Sequence, residues 1–385
     1  MALNNIQQIH NEFEWYHKED FSWYYISHNE RAERTVFLGE KDNLNYATVI
    51  KSIKVNINNY KSLLKEAYFL ACLKNNRYFT EIVDLFTSDN CTNMYIIMRD
   101  HGVDLKDFIK YIGFDYNERY PNISRYIIFN TLCGLKILHD KELSHNDIKL
   151  ENIVISSKLK SKICDLGSAC KNEALKGRGT NGYLSPQAIL GNERSKEDDM
   201  YAVGIVFLEL LNPRKIGLFK YNEKDDNEKD DKKKDEKNEK DDNRKKIKEI
   251  LKKCYDIKYS DGDGDWNQNI NYNVIANSIE KNNYNDFECK LKSDLFRPNE
   301  DEENKDLINN LLKINPKERM KVDEAIKKKM FTNLNFRFEE ENNNMKYRQE
   351  DYDKYLTSTS NNFKKNIEEI REKFIGDDLL RIKTE

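Results

Sequence analysis

The sequence has no long hydrophobic run and little glycine or proline, with 14 glycines and 5 prolines in 385 residues. The mean hydropathy is −0.89, and no apolar stretch reaches the roughly 20 residues that span a bilayer. The 65 basic and 68 acidic side chains leave a formal net charge of −3, which argues against bulk electrostatic attraction to nucleic acid or to an anionic membrane. The first residues carry neither a signal-peptide pattern nor a glycine for myristoylation. We therefore expect no nucleic-acid partner and no membrane partner.

Cysteine pairs at metal or redox spacing are also lacking. The seven cysteines are scattered, odd in number and without a CxxC pair, which is typical of reduced thiols rather than a disulfide framework. No Cys/His pairs stand at zinc-ligand spacing. This usage predicts an intracellular protein, cytoplasmic or nuclear.

The hydrophobic pattern changes along the chain. Apolar and polar residues alternate between residues 22 and 55, and strand patterns return near 81–86 and 94–98, on either side of a helical pattern over 61–75. After Asn122 the pattern is mostly helical. The predicted helices there are a long one starting at Ile123, a largely apolar one over 197–211, and shorter ones over 305–313 and 322–330. This order predicts an α+β chain with a small β-sheet lobe containing one helix and a larger, mainly helical lobe. A ligand site is expected where the lobes meet.

Two segments stand apart in composition. Residues 222–246 contain 11 acidic and 10 basic side chains and no apolar one, so we interpret them as a charged, low-complexity insert that is solvated, disordered or at best a frayed helix. From Asn342 to the end, the chain resembles a charged amphipathic helix, with apolar residues at helical spacing around Ile367. This extension either packs on the rest of the chain or binds a partner, and we favour packing.

The residues with the clearest chemistry begin at His145. Asp147, Lys149 and Asn152 follow it, and Asp165 comes after a short hairpin pattern. Phosphoryl transfer requires a carboxylate to receive a hydroxyl proton, cations to neutralise phosphate charge, and oxygen ligands for magnesium. These residue types supply all three.

Their spacing, HxDxKxxN followed by DxG, resembles the eukaryotic protein kinase family. The resemblance implies that Asp147 is the catalytic base and that Lys149 contacts the γ-phosphate of ATP. It also implies that Asn152 and Asp165 are ligands of Mg²⁺, so that ATP and Mg²⁺ are the expected cofactors and a protein is the expected substrate.

Further motifs stand in the family's order. The segment Thr48–Lys51 resembles the VAIK strand, and Glu66 stands where a helical glutamate would hold Lys51 against the α- and β-phosphates. The segments Gly179–Gln187 and Asn315–Arg319 resemble the substrate-framing GTxxYxAPE and the late DPxxR motifs. The resemblance covers residues 22–332, with lobes over 22–98 and 102–332. It leaves an N-terminal extension over 1–21 and a C-terminal extension over 333–385.

The resemblance also implies where the nucleotide binds. A hinge over 98–102 would bind adenine through its backbone, with Met98 as gatekeeper and Asp104 within reach of the ribose. The ATP-binding residues that the resemblance implies, besides Lys51, Glu66, Asn152 and Asp165, are Val36, Val49, Met98, Arg99, His101 and Asp104.

Three departures from the family pattern bear on activity. The glycine-rich loop is absent, because its glycine positions fall near Asn29, Arg31 and Arg34. Either Arg31 or Arg34 binds phosphate in its place, or the segment is an ordinary solvated turn. Val49 stands where alanine is usual beneath adenine, and Gln187 replaces the glutamate that pairs with Arg319.

We interpret the sequence as an active serine/threonine protein kinase, because Lys149 and Thr180 resemble that class rather than tyrosine kinases. The alternative is a pseudokinase or an ATP-binding scaffold with weak or no catalysis. Asn146 replaces the arginine that often binds an activating phosphate, and Lys176 stands at the usual phosphosite. We therefore predict activity without phosphorylation of the activation segment, residues 165–187.

Overall fold

The computed structural model of the chain describes residues 21–29, 34–41, 48–54, 66, 69–73, 76–87, 93–112, 121–156, 159–171, 179–191, 194–221, 236–260, 266–267 and 270–333. They form two compact units. The first unit holds the described residues up to Gly102 together with Cys164–Gly167. The second unit holds Val103–Ile163 and the described residues from Ser168 onward.

The first unit is built on a five-stranded antiparallel sheet in the order β1-β2-β3-β5-β4. Its strands are β1 (Phe21–Asn29), β2 (Arg34–Lys41), β3 (Thr48–Lys54), β4 (Ile82–Thr87) and β5 (Asn93–Arg99). Residues 66 and 69–72 are helical, and Leu70 and Leu73 are buried, as their helical spacing predicts. Ile50, Ile53 and Ile96 of the central strands are buried as well. The predicted sheet with one helix is confirmed.

The second unit is mainly helical with short strand pairs. Its helices are α1 (Leu105–Ile112), α2 (Pro121–His139), α3 (Pro186–Ile189), α4 (Lys196–Leu211), α5 (Glu236–Cys254), α6 (Tyr272–Glu280), α7 (Glu302–Leu311), α8 (Val322–Ala325) and α9 (Lys329–Thr332). Its strands are β6 (Val103–Asp104), β7 (Leu143–Ser144), β8 (Ile153–Ile155), β9 (Ser161–Ile163), β10 (Cys170–Lys171), β11 (Tyr255–Tyr259) and β12 (Phe287–Leu291). The strands pair antiparallel as β6-β8-β9, β7-β10 and β11-β12.

Two long helices form the core of the second unit. On α2, Ile127, Leu132 and Leu135 recur at helical spacing along one face, and all three are buried. Helix α4 is buried along almost its whole length from Asp198 to Leu211, which agrees with its apolar composition on every face. It begins with a capping box, in which Ser195 and Asp198 exchange side-chain and backbone hydrogen bonds. The backbone N–H groups of His145 and Asn146 donate to Asp199 in the first turn of this helix.

The carboxyl end of the charged insert is helical. Residues 236–246 belong to helix α5, which continues into the buried residues Ile247, Ile250 and Leu251. Arg244 donates to the carboxylate of Glu280 on α6 at 2.6 Å. These residues take the helical one of the predicted alternatives, and the apolar face that follows them anchors the helix. Residues 222–235 lie outside the described part of the chain.

Other differences from prediction are small. The helix predicted over 322–330 is two short helices, α8 and α9, because the backbone at Lys328 is extended, with φ −60° and ψ 142°. The N-terminal extension up to residue 20 and the C-terminal extension from residue 334 lie outside the described residues. None of the helices in the described ranges combines the length and the apolar character that crossing a membrane requires. The six described cysteines are free thiols.

Candidate active site

In the first unit, three charged residues from separate segments meet. The ammonium of Lys51 on β3 lies 2.6 Å from Glu66 Oε1 and 3.1 Å from Asp165 Oδ1. The Glu66 side chain is only 1% exposed and that of Lys51 only 8%. Charges this deeply buried require partners, since an isolated buried charge is costly. The structure thus brings together the lysine, the glutamate and the aspartate that the motifs singled out.

Gly167 explains why this cluster can be so close. A Cβ atom at Gly167 would lie 3.0 Å from Glu66 Oε2 and 3.2 Å from Asp165 Oδ1. A side chain there would therefore press on both carboxylates. Asp165 itself has a φ of 59°, in the left-handed region that aspartate tolerates better than most residues. The DxG spacing of the sequence corresponds to this close approach.

In the second unit, Asp147 is the centre of a hydrogen-bonded cluster. Lys149 Nζ donates to Asp147 Oδ2 and to Thr180 Oγ1, each at 2.7 Å. The hydroxyl of Thr180 donates to Asp147 Oδ1 at 2.7 Å. Asn152 Nδ2 donates to Asp147 Oδ2 at 2.9 Å and to its backbone oxygen at 2.8 Å. Both carboxylate oxygens are therefore oriented by donors, while the Asp147 side chain keeps 14% of its surface exposed.

The backbone of this loop is anchored by a buried carboxylate on α4. Asp199 accepts from the backbone N–H groups of His145 and Asn146, both at 2.8 Å. Its Oδ2 also lies 3.0 Å from His139 Nε2. Burial by itself raises the pKa of the Asp199 carboxyl, but the contacts with His139 and His145 outweigh it and lower the pKa below its ordinary value. An ionised Asp199 therefore holds the backbone of His145 and Asn146 in place.

Asn146, the residue in place of the usual arginine, ties the loop to the segment that follows Asp165. Its Nδ2 donates to the backbone oxygen of Ser168 at 3.1 Å and lies 3.2 Å from Cys170 Sγ. Its φ is 65°, a conformation that asparagine adopts readily. Strands β7 and β10 pair at the same place, with Ser144 opposite Cys170. The start of the activation segment is therefore held by neutral hydrogen bonds.

Arg194 contributes a buried cation to the same region. Its side chain is 4% exposed, and Nη2 donates to the backbone oxygen of Asn146 at 3.1 Å. Its Nε lies 3.6 Å from Asp198 Oδ2. Gly179, with a φ of +136°, lies against it, because a Cβ there would be 2.7 Å from Arg194 Nη1. Arg194 thus contacts both the residue before Asp147 and the residue before Thr180.

Residues of α4 and the side chain of Arg319 hold the substrate-framing segment, Gly179–Gln187, in place. Ser185 donates a very short hydrogen bond to Asp198 Oδ1. Gln187 Oε1 accepts from Arg319 Nη2 at 3.2 Å. A charged donor and a neutral acceptor are therefore paired here, where the family pattern has an ion pair. Arg319 also donates to backbone oxygens, including that of Glu197 at 2.8 Å.

A second buried carboxylate supports the same segment. The hydroxyl of Tyr183 donates to Glu209 Oε2 at 2.8 Å, and the N–H of Gly217 donates to Glu209 Oε1 at 2.7 Å. Burial raises the pKa of Glu209 to about 7, although both hydrogen bonds act in the opposite direction. Burial also raises the pKa of the Tyr183 phenol. Glu209 is thus a carboxyl group that titrates near neutral pH.

The residues expected around adenine and ribose are placed as follows. Val36 is paired with Lys51 across β2 and β3, and Val49 is paired with Met98 across β3 and β5. The Thr80 hydroxyl lies 3.9 Å from Met98 Sδ. The side chain of Arg99 is exposed and that of His101 is half-buried.

Asp104, in the second unit, is already engaged in the fold. Its Oδ1 accepts from the backbone N–H of Asp107 at 2.9 Å and so caps helix α1. Burial raises the pKa of the Asp104 carboxyl, helped by the neighbouring charges of Asp107 and Glu151. Of the glycine-loop positions, Asn29 and Arg34 pair across β1 and β2, while Arg31 lies outside the described residues, as does Lys176.

The oxygen donors suit magnesium in type. Both hydrogen bonds from Asn152 to Asp147 use its amide nitrogen, so the amide oxygen is the atom suited to a metal. Asp165 supplies a carboxylate from the first unit. Amide and carboxylate oxygens are the ligands that Mg²⁺ prefers. Within either unit, the described residues contain no cluster of three His, Cys, Asp or Glu side chains that could hold a metal.

The motifs did not reveal all of these contacts. The roles of Asp198, Asp199 and Glu209 follow from α4, whose sequence predicted only a buried helix. A signal for Asp198 was present, since Ser195 and Asp198 have the spacing of a capping box. Arg194 had no signal, because its partner Asn146 lies 48 residues earlier.

Comparisons with known proteins agree with this geometry. The chain is 28% identical to the MAP kinase kinase MKK1/SSP32 of Saccharomyces cerevisiae over 215 residues, which is 50% of this chain and 41% of that protein. It is 36% identical to the serine/threonine-protein kinase PLK2 of Mus musculus over 92 residues, which is 23% of this chain and 14% of that protein. The chain thus spans less than half the length of these relatives. A family model of the protein kinase domain matches residues 34–331. The chain belongs to the protein kinase family and has its α+β fold.

Proposed function

We propose that the protein is an active serine/threonine protein kinase that transfers the γ-phosphate of ATP to protein hydroxyl groups. The observation that carries this proposal is the cluster of Asp147, Lys149 and Thr180, whose hydrogen bonds are all 2.7 Å. Asp147 has the exposure and the fixed orientation that a general base requires. Lys149 and Thr180 favour serine and threonine as acceptors by resemblance to that class of kinase.

The remaining roles follow from the chemistry of each side chain. Asp147 accepts the proton of the attacking hydroxyl, and Lys149 neutralises charge that develops on the transferred phosphoryl group. Lys51, held by Glu66, binds the α- and β-phosphates. Asn152 and Asp165 would hold Mg²⁺, which would neutralise charge on the phosphates of ATP. The substrate is a protein, and the scattered free thiols favour an intracellular location.

The finer part of the proposal is that activity requires no phosphate on the activation segment. The catalytic loop and the segment are already tied together by neutral and charged groups of the chain, through Asn146, Arg194 and the bond from Lys149 to Thr180. Two of the segment's hydroxyl residues, Tyr183 and Ser185, are buried and so poorly accessible to another kinase. A phosphate would therefore add little order that the loop lacks.

The test is a phosphotransfer assay with purified protein, Mg²⁺-ATP and a generic protein substrate. We expect Asp147→Asn to reduce turnover by about 10²–10⁴-fold, the range for losing a positioned general base. Asp140 is exposed on the turn that follows α2. Asp140→Asn is therefore the matched control and should retain wild-type turnover.

The competing function is a pseudokinase scaffold, suggested by the missing glycine-rich loop. Equal background-level turnover in the wild type and Asp147→Asn would refute phosphotransfer and favour the scaffold. In that case, nucleotide binding measured by thermal shift would still report on Lys51. Phosphotyrosine as the main product would refute the serine/threonine assignment alone.

A further inference from the structure

A cleft on the second unit carries positive charge that the kinase chemistry does not use. It lies between helices α5 and α6 and has a volume of about 640 Å³. Three lysines of α5, namely Lys245, Lys248 and Lys252, line one side, and the start of α6 at Asn271 and Tyr272 lines the other. Lys245 and Lys252 are exposed. The cleft is therefore open to a ligand from solution.

The charge in this cleft is not compensated within the described part of the chain. On α5 the ion pairs use Arg244, Lys246 and Lys253, and the three cleft lysines form none with a described residue. Lys248 Nζ donates to the neutral amide oxygen of Asn273 at 2.8 Å. Lys252 Nζ lies 5.3 Å from the centre of the Tyr272 ring, a cation–π distance.

The acidic groups near the cleft do not cancel this charge. Glu249 also lines it, but its carboxylate lies 2.5 Å from Lys253 Nζ. One carboxylate, that of Asp256, is close enough to the cleft to act on the pKa of Tyr272, which is raised mainly by burial, but the three ammonium groups outnumber it. The N–H groups at the start of α6 add a partial positive charge on the opposite side. The cleft thus selects a negatively charged ligand.

The spacing of the lysines indicates what kind of anion fits. Lys245 and Lys252 are seven residues apart on one helix, which places them about 10 Å apart along the axis. A row of this length suits an extended anion with several charges better than a single phosphate. An extended peptide rises about 3.3 Å per residue, so carboxylates at alternate positions are about 7 Å apart and can follow the row.

The cleft is also connected to the segment that frames the substrate. Helices α5 and α6 both pack against α3, which directly follows Ser185. Gln187 of α3 donates to the hydroxyl of Tyr284, just beyond α6, at 2.9 Å. A peptide bound in the cleft would therefore be held by the same unit as the substrate-framing segment.

We propose that the cleft between α5 and α6 is a docking site for an Asp/Glu-rich segment of the protein substrate. That a substrate docks here rests on the proposed kinase function, whereas the binding of an acidic peptide to the cleft does not. It would raise the local concentration of the phosphoacceptor without contacting the reacting atoms.

Binding is tested with a fluorescein-labelled 12-residue peptide of alternating Glu and Ser, measured by anisotropy on the full chain. We expect it to bind at least tenfold more tightly than the Gln–Ser peptide of the same length, and binding should weaken with added salt. The double variant K245E/K252E should bind it at least tenfold more weakly. The matched control K141E/K317E reverses two exposed lysines elsewhere and should stay within twofold of wild type. Equal melting temperatures show that both variants fold.

Three results would overturn the proposal. They are equal weakening by both double variants, equal binding of the Glu and Gln peptides, and tighter binding of a single-stranded oligonucleotide of matched charge at the same lysines. A kinetic arm separates this proposal from the kinase function. A phosphoacceptor peptide fused to the Glu–Ser segment should have a lower KM than the unfused peptide, and K245E/K252E should abolish that difference at unchanged kcat. If neither peptide is phosphorylated, the kinase proposal fails while the anisotropy result still decides the docking site.

Discussion

The two charged clusters of this protein are held in place by different means. Around Lys51, one ammonium lies between two carboxylates from separate segments, and the Glu66 side chain of this cluster is only 1% exposed. Around Asp147, the loop is fixed through many contacts, among them two backbone bonds to Asp199 and one from Arg194. The first cluster therefore depends on each charge, whereas the second distributes its geometry over several weaker bonds. Single substitutions should therefore destabilise the protein more in the first cluster than in the second.

The largest stability effect is expected in the first cluster. Lys51→Met keeps the length of the side chain but leaves the buried Glu66 carboxylate without its cation. Removing one partner of a buried ion pair costs about 3–5 kcal/mol, so the free energy of unfolding should fall by that amount in denaturant titrations. Lys54→Met, an exposed position on the same strand, is the control and should change it by less than about 0.5 kcal/mol. If both variants lost a similarly small free energy of unfolding, the charge of Lys51 would stabilise the fold no more than that of an exposed lysine.

A smaller, pH-dependent effect is expected from Glu209 beside the second cluster. Burial raises the pKa of Glu209 to about 7, from an ordinary value of 4.5 for a glutamate. Between these values the folded state binds a proton that the unfolded state has released, so this contribution to stability is lost as pH rises through 7. The wild type should lose about 2–3 kcal/mol from this group between pH 4.5 and pH 8.

Glu209→Gln measures that contribution, because the amide cannot titrate. The difference in unfolding free energy between wild type and variant should shift in favour of the variant as pH rises. Thr131→Ser, a buried hydroxyl without a titrating group, should give a difference that is constant with pH. A pH-independent difference for Glu209→Gln as well would mean that the carboxylate stays ionised throughout.

Arg194 should act on catalysis more than on nucleotide binding. It is a positioning residue, since it contacts the Asn146 backbone and not the reacting groups. Arg194→Met removes a hydrogen bond from a charged donor, worth about 1.5–3 kcal/mol, and we expect kcat to fall about tenfold with an unchanged KM for ATP. Arg194→Lys, which keeps the charge, should recover part of the rate, and the exposed Arg214→Met should match wild type. Parallel losses of kcat and thermal stability that Lys does not rescue would assign Arg194 a purely structural role.

Local patterns in the sequence predicted much of this fold and part of the site. The helical spacing of Ile127, Leu132 and Leu135 gave the buried face of α2, and the alternating strands of the first unit form one sheet. The geometry also agrees with the motif residues, since Lys51 lies beside Glu66 and Asp165, and Lys149 lies beside Asp147 and Thr180. These residues could be predicted because chemistry limits which side chains can stand at each position.

The supporting contacts could not be predicted, for a physical reason. Arg194 with Asn146, and Tyr183 with Glu209, join residues that are 48 and 26 positions apart. Such pairs depend on how α4 packs, and no local pattern encodes that packing. The composition of residues 222–246 left disorder and a helix both open, because the residues that anchor the helix, Ile247, Ile250 and Leu251, come just after this tract.

The most direct measurement is turnover by protein that carries no phosphate. Wild-type protein is treated with phosphatase, shown by peptide mass spectrometry to be unmodified from residue 165 to 187, and assayed with Mg²⁺-ATP and a substrate peptide. If Asn146 and Arg194 already hold the activation segment, kcat should stay within about twofold of the untreated protein. If dephosphorylation abolishes turnover and the responsible phosphate maps to Ser168 or Thr180, the segment is not pre-ordered and this explanation of the second cluster is wrong.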